Sequence, residues 1–115
     1  MGKAIDRWVR ATTPEKLHGM YMEAAEESAE KVMERIRQAA TAAGPDWAEA
    51  IKKATVERQG ENIRLEFPKE SFDLEYGTAA VPPRPVVRTT IYKHKRQIND
   101  EFDALLRRRV FGRTG

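Results

Sequence analysis

Apolar and small residues recur three and four apart at Leu17, Tyr21, Ala24, Ser28, Val32, Ile36, Ala39 and Ala43. That spacing marks one face of an α-helix, which Met20, Ala25, Ala29, Met33 and Ala40 widen. Thr13-Pro14-Glu15 supplies a hydroxyl cap, a proline at the first helical position and an acid in the first turn. Gly44-Pro45 stops the run. Residues 17–43 therefore predict a helix about 40 Å long at 1.5 Å per residue. Asp46 is placed to cap a second, two-turn helix through Trp47, Ala50 and Ile51.

From Thr55 the period changes to two. Val56 precedes a turn at Gly60-Glu61, after which Ile63, Leu65 and Phe67 alternate with Arg64 and Glu66. Pro68-Lys69-Glu70-Ser71 breaks the alternation, and Phe72 and Leu74 resume it against Asp73 and Glu75. The pattern predicts an antiparallel meander, apolar on one face and charged on the other. Residues 78–85 hold Pro82, Pro83 and Pro85 and fit neither helix nor central strand. A helical period returns through Val87, Ile91, His94, Ile98, Phe102, Leu105 and Val110, and ends at Phe111-Gly112. The fold class expected is α+β: a long N-terminal helix, a short helix, a small antiparallel sheet of two to four strands, a proline-rich loop and a long C-terminal helix. The long helices, residues 17–43 and 87–110, are expected on one face of the sheet. Tyr21, Val32, Ile36, Ile91, Ile98 and Phe102 would meet Leu65, Phe67 and Leu74 there.

The length of 115 residues suits one domain, read as residues 1–115 with an arm at 1–12, an extended loop at 77–88 and a tail at 111–115. The arm carries Trp8 and Val9 among charges, as a short helix or as a segment that orders on a partner. Charged residues make up 34% and aromatic residues 8%, which leaves a thin core for this length and points to apolar surface completed by neighbours. With no cysteine, disulfides, thiolate metal sites and cysteine nucleophiles are excluded together. No stretch approaches a membrane span, and residues 1–16 lack the apolar core of a signal peptide. Synthesis in the cytoplasm is expected, with no membrane partner.

The net charge of +3 is unevenly spread. Glu15, Glu23, Glu26, Glu27, Glu30 and Glu34 face only Lys16 and Lys31 across residues 15–34, whereas residues 84–115 carry nine bases against Asp100, Glu101 and Asp103. Opposite charge at the two ends suits head-to-tail contacts between subunits as well as nucleic acid.

Catalytic constellations are missing. His18 and His94 lie in different predicted helices, each without a ligand partner at helical spacing. Glu26, Glu27 and Glu30 read as a solvated helix face with Lys31. No Gly-rich phosphate loop, nucleophile elbow or zinc-protease helix occurs. Neither an enzyme nor a cofactor is expected. Lys93-His94-Lys95-Arg96 and Arg107-Arg108-Arg109 form a weak nucleic-acid signal without a reading motif.

The informative segment is Glu75-Tyr76-Gly77-Thr78, followed by Pro82-Pro83-Arg84-Pro85-Val86-Val87-Arg88. Physically it is a strand end, a sharp turn at glycine, a proline-stiffened arm and a helix start. Tyr76 and Arg84 are large groups that turning does not require, and such a loop is a candidate docking element. This arrangement resembles the tail-completion, or neck and minor tail, protein family of long-tailed bacteriophages. Those proteins join a long helix and a small sheet to a Glu-aromatic-Gly-Thr signature, a proline loop with an arginine and a C-terminal helix. Many members also carry Pro-x-x-Thr-Gly-x-Leu before the sheet, where this chain has Gly44-Pro45-Asp46-Trp47.

The resemblance implies a structural virion protein of the phage neck. It would form an oligomeric ring that joins or completes head and tail, without catalysis or cofactor. Its partners would be copies of itself together with portal- or adaptor-side and tail-tube-side proteins, with non-specific contact to genomic DNA in the channel. Glu75, Tyr76, Gly77, Thr78, Pro82, Pro83, Arg84, Pro85 and Arg88 are the interaction residues so implied. The alternative is a small basic DNA- or RNA-binding protein, favoured by the charge of the last third.

Overall fold

The computed structural model describes residues 14–111. The expected cap at Thr13, the arm at 1–12 and all of the expected tail at 111–115 except Phe111 lie outside them. The described chain is an α+β fold, mostly helical. It runs α1 (Pro14–Ala43), α2 (Pro45–Ile51), β1 (Thr55–Gln59), β2 (Asn62–Glu66), α3 (Lys69–Tyr76), α4 (Val87–Lys93) and α5 (Lys95–Phe111).

Helix α1 is the spine: α2, both strands, α4 and α5 all pack on it. Its buried residues Met22, Ala24, Ser28, Ala29, Val32, Met33, Ile36 and Ala40 follow the three-and-four spacing of the sequence. Val32, Met33, Ile36 and Ala40 join Trp47, Ile51, Ala54 and Val86 in one core, with Val56, Leu65, Phe67, Leu74 and Ile98 at its edge. The core sits towards the C-terminal end of α1, where the chain doubles back through α2. Arg37 ties the two by donating from Nη2 to the Ala54 carbonyl at 3.0 Å. Helix α5 also packs on α1, through an edge-on contact of Tyr21 with Phe102 and a forked pair of Arg35 with Glu101.

Strands β1 and β2 pair antiparallel, with Val56 opposite Leu65 and Glu57 opposite Arg64. The two-residue turn places Gly60 at φ +58°, a conformation glycine takes without a Cβ clash. Val56, Ile63 and Leu65 are half-buried while the alternate positions are exposed.

Four expectations need correction. Phe72 and Leu74 do not form a third strand, because residues 69–76 are α3. Ser71, Leu74 and Glu75, spaced three and four, turn inward; Phe72 and Asp73 turn outward. Pro68 lies just before this helix with φ −69° and ψ 160°, and its carbonyl accepts from the Ser71 hydroxyl at 2.6 Å. The proline that was expected only to break a sheet instead starts a helix. Second, Asp46 does not cap α2: Gly44 is the cap, at φ 139°, and Pro45 is the first helical residue. Third, the single C-terminal helix is divided at His94, which has φ −105° and ψ 13°. The break is local: the His94 amide still donates to the Thr90 carbonyl at 3.1 Å and the Ile98 amide to the His94 carbonyl at 2.9 Å. Fourth, Ile91 lies outside the core and is exposed, and the hairpin rests chiefly on α1.

Candidate functional site

Residues 74–88 form one hydrogen-bonded knuckle between α3 and α4. The start of α4, Pro85-Val86-Val87, offers no side chain able to cap its own amides. Glu75, at the end of α3, supplies the acceptor from outside. Its Oε1 accepts from the Val86 and Val87 amides, both at 2.8 Å. Its Oε2 accepts from the Arg88 amide at 3.0 Å and from Arg88 Nε at 2.9 Å. Arg88 Nη2 also donates to the Glu75 carbonyl at 3.0 Å. A carboxylate at a helix N-terminus meets both unpaired amides and the positive end of the helix dipole. Glu75 is only 4% exposed. Burial pushes its carboxyl up, and donation from the Arg88, Val86 and Val87 amides and the Arg88 guanidinium outweighs that, leaving the pKa below its ordinary value.

The loop does not extend. The Thr78 amide donates to the Val81 carbonyl at 2.9 Å, and the Thr78 hydroxyl accepts from the amides of Ala80 and Val81 at 3.3 and 3.1 Å. The Arg84 amide returns to the Leu74 carbonyl at 2.8 Å, and the Arg84 carbonyl accepts from Trp47 Nε1 at 3.0 Å. The fully buried Trp47 therefore anchors the far side of the loop to the core. Gly77 turns at φ +80° and ψ 173°. A Cβ there would lie 2.8 Å from Pro83 N and 2.9 Å from Pro83 Cδ and Val81 O. Pro82, Pro83 and Pro85 are exposed on the outer rim.

Of the residues expected to act, Glu75, Tyr76 and Arg88 come together. The Arg88 guanidinium lies 4.4 Å from the centre of the Tyr76 ring, a cation–π contact. Tyr76 also stacks on Phe72 at 6.3 Å between centroids and 13° between planes. Tyr76 is 58% exposed and Phe72 51%. Arg84 points elsewhere, donating from Nη2 to Asp46 Oδ2 at 2.5 Å. That donation holds the Asp46 carboxyl below its ordinary value, helped by the Trp47 amide. Trp47 and Asp46 were not foreseen as parts of this site. Glu75 stands in the Glu75-Tyr76-Gly77-Thr78 signature of the sequence, but its capping role at α4 was not foreseen there.

The charged ends also meet within one chain. Arg109 Nη1 lies 2.8 Å from Glu23 Oε2, and its Nη2 lies 3.7 Å from Glu27. Among the described residues no group of three or more His, Asp or Glu is placed to hold a metal ion, and no helix is long and apolar enough to cross a membrane. No family model matches the chain, nor does any curated protein or solved structure.

Proposed function

We propose that this chain is a structural subunit of a bacteriophage neck, working in an oligomeric ring that joins or completes head and tail. The observation that carries the reading is the segment from Glu75 to Arg88. The residues that resemble the neck-protein signature form a single knuckle, with Glu75 and Gly77 fixing the backbone and Tyr76 and Arg88 held at its surface. Tyr and Arg in a rigid, partly exposed frame are the residue types that most often dominate interfaces. Their geometry is set before a partner arrives, which lowers the ordering cost of binding. The role requires neither a catalytic group nor a cofactor, and it places the protein in the virion.

Size-exclusion chromatography with light scattering, with and without duplex DNA across a salt series, tests the reading. Ring assembly gives a discrete multimer whose mass is set by protein–protein contact and does not depend on DNA. Tight DNA binding by a monomer, falling steeply with salt, would favour the nucleic-acid alternative and overturn the neck reading.

A further inference from the structure

A groove of about 420 Å³ lies between α2, α3 and the knuckle. Ala50, Leu74 and Val81 give it apolar walls, and Val81 is 49% exposed at its mouth. Asp46, Glu49, Glu70 and Asp73 rim it against a single cation, Lys53. Arg84 holds Asp46 and Lys52 holds Glu49, but among the described residues neither Glu70 nor Asp73 carries an ion pair. An apolar trough with a net acidic rim selects a basic segment that carries apolar anchors.

Residues 1–13 have that chemistry. Ile5, Trp8 and Val9 stand among Lys3, Arg7 and Arg10, with Asp6 the one acid. Trp8 and Val9 cannot reach the groove of their own chain. Arg37 touches Ala54, the neighbour of the groove residue Lys53, and it lies about 35 Å along α1 from Pro14 at 1.5 Å per residue. Trp8 and Val9 are six and five residues before Pro14, so even fully extended they reach only about 22 and 18 Å. We propose that Ile5, Trp8 and Val9 of one copy dock in the acidic-rimmed groove between α2 and α3 of a second copy. This inference rests on the assembly reading and gives it a contact. An arm in one place and a groove in another make a heterologous interface, which closes into a ring where the rotation permits.

The test mixes two variants of the full chain. Trp8→Ala removes the anchor and keeps the groove; Val81→Glu blocks the groove and keeps the arm. Val81 is exposed, so the fold tolerates its replacement, and Glu70→Lys with Asp73→Lys is a second groove variant at two exposed positions. Wild type is expected as a multimer and each variant alone as a monomer of 13.2 kDa. Mixed Trp8→Ala and Val81→Glu chains should form one-to-one dimers and nothing larger, because one intact arm then meets one intact groove. Mixtures that stay monomeric with both groove variants would overturn the contact. So would a wild-type chain monomeric at roughly millimolar concentration. A wild-type multimer whose mass none of the substitutions changes also overturns it, while leaving ring assembly through another surface intact.

Discussion

Replacing Glu75 with alanine removes the acceptor for the Val86, Val87 and Arg88 amides at the start of α4 and for Arg88 Nε at once. The buried Val86 amide then has no partner, which costs about 1–3 kcal/mol. Val87 is half-buried and Arg88 exposed, so their amides regain water and lose what a helix cap supplies, about 1 kcal/mol together. A total near 3 kcal/mol lowers the melting temperature of a domain this size by about 12 °C. Glu75→Gln keeps one acceptor oxygen but turns an NH2 towards the amide donors, so about 2 kcal/mol is expected.

The effect has a pH signature. Because the folded pKa of Glu75 is below its ordinary 4.5, its stabilisation is complete above that value and is lost as pH falls through the lower folded pKa. The gap between wild type and Glu75→Gln should therefore be widest near neutrality and close in acid. Thermal melts by circular dichroism from pH 7 to pH 3 measure it. A Glu75→Ala melting temperature within about 2 °C of wild type at pH 7 would refute the capping role.

Three further outcomes follow from the same geometry. Gly77→Ala forces a Cβ against Pro83 and the Val81 carbonyl at a positive φ, so a loss of about 3 kcal/mol is expected in urea titration; an unchanged midpoint would contradict the turn. Trp47→Phe removes the donor to the Arg84 carbonyl and part of the buried ring, so about 2 kcal/mol should be lost, with faster hydrogen exchange at the Thr78 and Arg84 amides. Arg84→Ala breaks only an exposed pair with Asp46, so the melting curve should barely move, while recruitment into particles should fall; normal particle yield would remove Arg84 from the docking surface.

The legible parts of the fold were those with a long, unbroken period. Thirty residues of three-and-four spacing in α1 leave no competing reading, and Gly60-Glu61 between alternating runs marks a hairpin. The stretch from Phe72 to Glu75 was too short to discriminate. Four alternating residues also fit a helix, and the inward positions Ser71 and Glu75 are polar, so apolar pattern alone pointed the wrong way. Pro68 followed by Lys69-Glu70 was the overlooked helix start.

Long-range partners were the other gap. Trp47 is 37 residues from the carbonyl it serves, and Asp46 is 38 from Arg84; no local spacing encodes such pairs. The charge asymmetry was legible, but Arg109 settles part of it inside one chain on Glu23 and Glu27. A contact between copies therefore cannot count those acids as free.

The neck reading is tested most directly by quantitative mass spectrometry of tailed particles, salt-washed and nuclease-treated, from cells that carry this gene. A structural ring subunit should remain in the washed particles at a fixed multiple of copies per particle, set by the symmetry of the ring. Its absence from intact particles while the chain is abundant in the lysate would contradict the assignment.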